Sequence, residues 1–208
     1  MEFTLDRGSI PLASILIMPL FTRKDINILF VHIPKTAGMY VYENFYKRGF
    51  KMQEPLGRIV DGVTIQHVLA KQAFEIYKNY NIAKSFCIVR HPIHRLVSEC
   101  NYHGTYGSEI NSCAKKIFEL YRNNSSSYRD NHIRPQSDFI NEQTVYFKYE
   151  NGVDTAINKF FADIDGELIH DNTVVNASKK RYNIEQLNDE TINMIREFYK
   201  EDFNRLNY

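Results

Sequence analysis

Residues 28–38, with the sequence ILFVHIPKTAG, join an apolar run to a tight turn that contains one lysine. The run is short, nearly continuous and bounded by Pro34, which is typical of a buried strand, and a helix is predicted over about 37–48. A helix N-terminus presents unpaired N–H groups and the positive end of its dipole, and Lys35 adds a full charge. The layout predicts a phosphate or sulfate site, although an ordinary turn with a solvated lysine has the same local pattern.

A second strand–turn–helix pattern follows further along the chain. Residues 84–89 (KSFCIV) predict a buried strand that ends at Arg90, and Pro92 suits the first position of a new helix. Ser98 lies about two turns into that helix. Arginine offers a bidentate fork and serine a hydroxyl, a pair suited to a phosphate monoester. The alternative is an arginine that caps the helix and a serine that faces the core.

The remaining pattern alternates strands with helices. Further strands are predicted at residues 58–65 and 144–149, and further helices at 68–80, 153–161 and 188–206. This alternation predicts an α/β fold with a central, mostly parallel sheet flanked by helices, and ligands at the carboxyl ends of the strands. The length of 208 residues suits one domain over 1–208, with residues 1–26 as a packed N-terminal arm.

Charge and cysteine content exclude several functions. Lysine plus arginine (26) nearly balances aspartate plus glutamate (25), so no broad positive field is expected to hold nucleic acid or an anionic membrane. Any anion binding must therefore be local. The cysteines, Cys87, Cys100 and Cys113, lack metal or redox spacing, which predicts reduced thiols and no zinc site.

The apolar segment at residues 10–21 is too short to cross a bilayer. It contains Pro11 and Pro19, whereas a spanning helix needs roughly 20 apolar residues. Glu2 and Asp6 replace the basic flank of a signal peptide. We therefore expect a packed arm rather than a targeting segment, no membrane span, and a cytoplasmic protein.

Taken together, HIPKTAG and VRHPIHRLVS resemble the 5′- and 3′-phosphate motifs of sulfotransferases that use 3′-phosphoadenosine 5′-phosphosulfate (PAPS). The chain is similar in particular to the carbohydrate branch, with its uronyl 2-O-sulfotransferases and bacterial relatives. The resemblance continues through residues 131–140, 146–150 and 175–208. It implies a three-layer, P-loop-like fold, PAPS as co-substrate, and a hydroxyl acceptor on a glycan or glycoconjugate.

The resemblance also implies roles for single residues. Lys35 would contact the 5′-phosphosulfate, and Arg90 with Ser98 would hold the 3′-phosphate. Further cofactor contacts would come from the rest of the first turn, namely Thr36, Ala37, Gly38, Met39 and Tyr40. Many relatives have Thr-Ser where this chain has Met39-Tyr40, so two hydroxyls are lost. Cofactor binding is then weaker or altered, or the chain is an inactive relative.

A base must take the proton of the acceptor hydroxyl, and His67 is the predicted one. It precedes a helix between the two turns, where related 2-O-sulfotransferases carry a histidine, and an ordinary pKa of about 6.5 suits a base near neutral pH. A capping or surface histidine is the alternative. Secondary candidates are His32, His91, His94, His103, Glu43 and Glu99.

Two further segments are candidates for ligand contacts. His132, Arg134 and Gln136 lie in a polar segment that borders the active site in relatives, and they either touch the acceptor or build a structural loop. The other segment is a basic cluster that contains Lys179, Lys180 and Arg181. It closes over the nucleotide, grips an acidic glycan, or is a solvated charge run. Lys179 is predicted to bind the cofactor.

The predicted reaction is in-line transfer of the sulfuryl group from PAPS to a hydroxyl, with Lys35 neutralising the leaving oxygen and no metal required. A P-loop kinase is disfavoured because Lys35 precedes the glycine and no G-x-x-x-x-G-K-[ST] run exists. A non-catalytic nucleotide or glycan binder stays an alternative, favoured by Met39-Tyr40. The sequence sets neither the acceptor nor the oligomeric state.

Overall fold

A computed structural model of the chain describes residues 19–53, 58–103, 109–125, 127–162, 164 and 181–208. Five strands form a central sheet in the order β3-β1-β2-β6-β7, and β4 and β5 form a separate hairpin. The strands are β1 (Leu20–Arg23), β2 (Ile26–Phe30), β3 (Lys51–Met52), β4 (Ile59–Val60), β5 (Val63–Thr64), β6 (Ile82–Val89) and β7 (Val145–Lys148).

Helices connect the strands and cover the sheet. They are α1 (Gly38–Lys47), α2 (Ala70–Ile76), α3 (Pro92–His103), α4 (Ile110–Arg122), α5 (Val153–Phe161), α6 (Asp189–Phe198) and α7 (Lys200–Arg205). Pro92 is the first residue of α3, as predicted from its fixed φ. Among the described residues, no helix combines the length and apolar character that a membrane crossing requires.

The sheet is parallel where the two predicted turns meet. Strand β6 pairs in parallel with both β2 and β7, whereas β1 pairs antiparallel with β2 and β3. Side chains alternate between the two faces: Ile28 and Phe30 pack with α1 and α5, and Leu29 packs with α2 on the opposite face. This three-layer arrangement confirms the predicted α/β fold.

A third apolar cluster lies among α3, α4 and α6. Its buried side chains include Leu96, Cys100, Cys113 and Phe118. The cysteines of this cluster are free thiols, as predicted. The cluster fixes the orientation of α3, the helix that follows Arg90.

Two element predictions are corrected. Residues 58–65 form not one strand but the β4–β5 hairpin, because Asp61 (φ 51°) and Gly62 (φ 79°) adopt the left-handed geometry of a tight turn. The helix predicted over 188–206 is two helices, interrupted at Tyr199 (φ −102°, ψ 26°). Its Asn188 cap is confirmed, since the side chain accepts the Thr191 N–H. The described end of the predicted N-terminal arm contains strand β1.

The C-terminal helix α7 holds the end of β6 in place. The buried Asp202 carboxylate accepts the backbone N–H groups of Gln136 and Ser137 at 2.9 and 2.8 Å. The Gln136 side chain in turn accepts the Arg90 N–H at 2.9 Å and donates to the Arg90 carbonyl at 2.8 Å. The position of Arg90 therefore depends on a helix more than 100 residues later in the chain.

We expect Asp202→Asn to lower the free energy of unfolding by about 1–3 kcal/mol, because the new amide replaces an acceptor with a donor opposite buried N–H groups. The matched control is Glu201→Gln at the neighbouring exposed position, where we expect a change within about 0.5 kcal/mol. Chemical denaturation followed by circular dichroism measures both. Equal stability of the two variants would contradict the proposed clamp.

Candidate functional site

The first predicted anion turn leaves β2 and leads into α1. Lys35 (φ 68°) and Ala37 (φ 72°) both adopt left-handed backbone geometry, which non-glycine residues rarely do. Such strained positions cluster at ligand-binding turns. Thr36 is fully buried and its hydroxyl donates to the Ile33 carbonyl at 2.8 Å, so this side chain stabilises the turn instead of facing a ligand.

Gly38 is required at the start of α1 because an imidazole lies directly against it. A Cβ atom at this position would lie 2.0–2.6 Å from three ring atoms of His32, well inside van der Waals contact. The His32 ring is buried, and its Nδ1 atom has no hydrogen-bond partner in the described part of the chain. Burial, together with the nearby His67 and His132, holds the pKa of His32 well below its ordinary value.

Arg90 lies at the end of β6, beside the first turn. Its Nη1 atom donates to the Lys35 carbonyl at 3.4 Å, and its guanidinium carbon lies 4.5 Å from the centroid of the Tyr149 ring. The buried Nε atom has no hydrogen-bond partner within the described ranges. Since a buried guanidinium donor without an acceptor is unfavourable, this atom is suited to an anionic ligand.

The Lys35 ammonium group is the second cation of the site. It lies 3.8 Å from the centroid of the Tyr102 ring, and in the residues that the structure describes it forms no ion pair with a carboxylate. Burial is the main cause that lowers the pKa of Lys35 from 10.5 to about 8, with Glu99 opposing the shift and Arg90 reinforcing it. An anion bound between Lys35 and Arg90 would relieve this unfavourable burial of charge.

Three more of the predicted cofactor residues lie on helices α1 and α3. Ser98 is half-buried on α3, two turns beyond Arg90, and its contact with the same anion stays a prediction. Met39 and Tyr40 are half-buried and pack against the α1–α5 side of the core. The Tyr40 hydroxyl donates to the Asp154 carboxylate at the start of α5. Lys179 lies outside the described residues.

His67, the predicted base, ends a short 3₁₀ turn at Ile65–His67 and is nearly fully buried. Its Nδ1 atom lies 2.7 Å from the Asp130 Oδ2 atom. Asp130 also accepts the Thr64 backbone N–H and hydroxyl, both at 2.6 Å. A carboxylate at Nδ1 favours the tautomer with its proton there and leaves the Nε2 lone pair free to accept a proton.

His67 and Asp130 each shift the pKa of the other. Burial lowers the pKa of His67 below 6.5, and the Asp130 hydrogen bond opposes that shift. Burial alone would raise the pKa of the Asp130 carboxyl, but the bonds from His67 and Thr64 outweigh it and lower the pKa to about 2. Near neutral pH the pair is therefore a neutral imidazole and a carboxylate, which is the state a general base requires.

Two more histidines complete a cluster around His67. The ring centroids of His32 and His132 lie 4.8 and 5.0 Å from that of His67. His132 Nδ1 lies 2.8 Å from Glu99 Oε2. The Tyr102 ring, 53% exposed, stacks on His132 at 6.0 Å and faces Lys35 with its π system. Tyr102 therefore connects the cation pair to the histidine cluster.

The predicted acceptor residues divide into two groups. His132 lies in the cluster beside His67. Gln136 is fully buried and holds the Arg90 backbone, so in this structure it positions Arg90 instead of facing a ligand. The Arg134 guanidinium is occupied by Asp138 at 3.0 Å and by the Asn131 side chain at 3.3 Å.

The secondary base candidates lie in several places. The His91 ring packs edge-on against Phe203 and Tyr208, and His94 is exposed. Glu43 is half-buried on α1, and only the backbone of His103 is described.

A cavity of about 410 Å³ lies beside Arg90, at the carboxyl ends of β6 and β7. It is lined by Arg90, His94, Tyr149, Glu150, Gly152 and Val153. A larger cavity of about 750 Å³ lies against β6, β7 and α5 and is lined by none of the predicted site residues. Of these two cavities, the smaller is the one that Arg90 lines.

The sequence did not identify Asp130, Glu99 as a partner of His132, or Tyr102. Asp130 lies between Arg129 and Asn131, and all three have positive φ values of 54–62°. This local geometry turns the carboxylate toward a histidine 63 positions earlier. The excess of polar residues at 129–132 was the one local signal, and it did not reveal the partner.

Comparison with known proteins gives one match. The model of a family described as "Sulfotransferase family" matches residues 18–208, which is most of the chain. Among curated proteins and among solved structures, no match to the chain was found.

Proposed function

Because the chain belongs to the Sulfotransferase family, we propose that it transfers the sulfuryl group of PAPS to a hydroxyl group of a carbohydrate. The observation that carries the proposal is the pair of cations, Lys35 and Arg90, at the ends of two neighbouring parallel strands. Within the described ranges neither forms an ion pair with a carboxylate. A donor with phosphate groups at both its 5′ and 3′ ends supplies an anion for each turn.

The donor would lie across the carboxyl edge of β2, β6 and β7. Lys35 and the first N–H groups of α1 would hold the 5′-phosphosulfate, since a helix N-terminus favours anions. Arg90 and Ser98 would hold the 3′-phosphate. The cavity beside Arg90, with the Tyr149 ring in its wall, has room for part of the nucleoside.

The chemical step would be an in-line displacement at sulfur. The bond between sulfur and the bridging phosphate oxygen breaks as the acceptor oxygen bonds to sulfur, which yields a sulfate ester and adenosine 3′,5′-bisphosphate. His67 Nε2 would take the acceptor proton, and Asp130 would stabilise the imidazolium that forms. Lys35 would neutralise charge on the leaving phosphate.

A carbohydrate acceptor is proposed from the resemblance and from the surface near the base. Tyr102 exposes about half of its side chain beside His132, and an exposed aromatic ring is a suitable platform for a sugar face. His132 lies next to His67, where it can contact an acceptor hydroxyl.

A second candidate function is nucleotide or glycan binding without catalysis. The observation that favours it is the hydrogen bond from Tyr40 to Asp154, which engages the phenolic hydroxyl, the one side-chain hydroxyl present at positions 39–40. In that case the 5′ side of the nucleotide would be held by Lys35 and backbone groups alone. Release of adenosine 3′,5′-bisphosphate distinguishes the two functions.

The decisive experiment uses radiolabelled PAPS with a panel of glycans that contain uronic acids, followed by mass mapping of the product. We expect label transfer to a glycan hydroxyl and one bisphosphate released per sulfate transferred. Tight PAPS binding with no bisphosphate released by any acceptor would favour the non-catalytic function.

Lys35→Ala is expected to weaken PAPS binding about 10- to 100-fold, because it removes a charge-assisted contact to the 5′ group. Arg90→Lys keeps the charge of Arg90 but loses the bidentate fork, so a smaller loss in the same direction is expected. Calorimetry measures both. The control is Lys78→Ala, an exposed lysine paired with Glu75, which should bind PAPS like the wild type. Unchanged affinity in Lys35→Ala would disprove this cofactor site.

PAPS affinity should also fall as the pH rises through about 8, where Lys35 loses its proton in the free protein. The pKa of the free lysine is depressed and a bound anion raises it, so binding takes up a proton above that pH. The decline should be at most about tenfold per pH unit. Lys35→Arg, which stays charged throughout, should flatten the profile between pH 7 and 9. An unflattened profile would assign the decline to another group.

His67→Ala is expected to lower kcat by about 100- to 10,000-fold while the Kd for PAPS stays within twofold of the wild type, because a general base acts only on the acceptor. Asp130→Asn should lower kcat by at least about tenfold without weakening PAPS binding, since it disturbs only the orientation and tautomer of His67. The control is Glu75→Gln on the exposed face of α2. Full turnover in His67→Ala would assign the base to another residue.

A further inference from the structure

We propose that His67, Asp130 and His132 form a binding site for a divalent transition metal, with Zn²⁺ as the best-fitting ion, and that the bound ion blocks the transferase. The sequence predicted no metal because its cysteines and acidic residues lack ligand spacing. The three ligands instead come from two segments that the fold brings together, the 3₁₀ turn before α2 and residues 130–132.

The geometry of the three side chains is close to that of a zinc site. Their ligand atoms all lie within 4.8 Å of one another. Tetrahedral zinc with bonds of about 2.0–2.1 Å holds its ligand atoms about 3.3 Å apart, so small side-chain rotations are sufficient. Two imidazoles and one carboxylate form a three-ligand set that leaves a fourth position open for water.

The ligands already have the outer partners that metal sites use. His132 Nδ1 pairs with the Glu99 carboxylate at 2.8 Å. Asp130 is held by the Thr64 backbone N–H and hydroxyl. The His67 carbonyl accepts the Asn131 side-chain amide at 2.9 Å, which fixes the two ligand segments to each other. Such second contacts orient ligands and raise metal affinity.

The charges around the cluster favour a divalent cation. Two carboxylates, Asp130 and Glu99, contact its imidazoles directly. Of the cations nearby, the Lys35 ammonium lies against the Tyr102 ring face, and the Arg95 guanidinium donates to the His132 backbone carbonyl at 2.8 Å. Imidazole ligands select zinc or copper over magnesium, which prefers oxygen ligands.

The bound ion would prevent His67 from acting as a general base, whichever ring nitrogen it coordinates. An ion on Nε2 occupies the lone pair that accepts the acceptor proton. An ion on Nδ1 binds the other neutral tautomer, in which the ring proton has moved through solvent from Nδ1 to Nε2, and an Nε2–H group cannot accept the acceptor proton. The inhibition, though not the binding itself, rests on the proposed function of His67.

The binding test titrates the full chain with Zn²⁺ alone in competition with a chromophoric chelator. We expect one equivalent to bind, with affinity at least about 100-fold lower in His132→Gln and Asp130→Asn and about 10- to 100-fold lower in Glu99→Gln. His94→Gln, an exposed histidine outside the cluster, should bind Zn²⁺ like the wild type. Mg²⁺ should not compete.

Two controls keep the test decisive. Circular dichroism establishes that each variant is folded, and Co²⁺ absorption of the wild type reports a nitrogen–oxygen ligand set without any variant. The proposed site would be overturned if the folded His132→Gln variant bound Zn²⁺ with wild-type affinity, or if His94→Gln lost binding. It would also be overturned if the wild type bound no stoichiometric Zn²⁺.

The transferase assay separates the metal site from the proposed function. Zn²⁺ should inhibit sulfate transfer over the concentration range in which it binds, and a chelator should restore activity. If Zn²⁺ binds stoichiometrically with the expected variant pattern but the protein transfers no sulfate, the proposed transferase function is refuted and the metal site stands. Transfer activity that Zn²⁺ does not inhibit would refute the metal block.

Discussion

Parallel pairing of β2 with β6 is the constraint on which the site depends. The two strands are in register from Leu29 opposite Ser85 to Phe30 opposite Phe86, and the Val31 N–H continues the ladder to the Phe86 carbonyl at 2.9 Å. Because parallel strands end at the same edge, their two turns emerge side by side. That placement brings Lys35 and Arg90, which are 55 positions apart in the chain, close together. Among the described residues, neither cation forms an ion pair with a carboxylate that would offset their mutual repulsion.

A single buried arginine connects the anion turn to the histidine cluster. Arg95 on α3 is 2% exposed, and its guanidinium donates to the carbonyls of Pro34, Arg134 and His132 at 3.0, 3.0 and 2.8 Å. A buried charge is tolerated only when its donors are satisfied, and three carbonyls meet that requirement. Any shift of the 132–134 segment would therefore be transmitted to the turn that presents Lys35. Helix α3 also contains Glu99 and Tyr102, two residues that contact His132.

The sequence was sufficient where local pattern determines structure. Apolar runs that end in a turn predicted β2 and β6, Pro92 predicted the start of α3, and the strand-helix alternation predicted the layered fold. These features depend on neighbours within a few residues. The break at Tyr199 was not predictable in the same way, because its hydroxyl bonds to the Ile133 carbonyl 66 positions earlier. Nor was the role of Gln136, which is set by α7 and by Arg90.

The candidate site follows the same division. Lys35, Arg90 and His67 belong to local patterns and were predicted; Asp130 and Tyr102 act through contacts across the fold and were not. Gly38 shows why local knowledge is incomplete even within a motif. The glycine was predicted as a cofactor contact, and the structure shows a further role that the motif did not reveal, because the His32 ring lies where a Cβ atom would be.

The two parts of the site have opposite electrostatic requirements, and the Tyr102 ring contacts both parts. A phosphosulfate donor requires positive charge, which Lys35 and Arg90 supply, whereas a general base must stay unprotonated beside that donor. Burial keeps His67 neutral, since desolvation lowers its pKa and Asp130 only partly opposes the shift. Fully solvated, His67 would have its pKa raised by the donor's negative charge and would lose its capacity to accept a proton. Burial of the cluster is thus part of its chemistry, because it keeps the base neutral next to a site whose own side chains, Lys35 and Arg90, must stay charged.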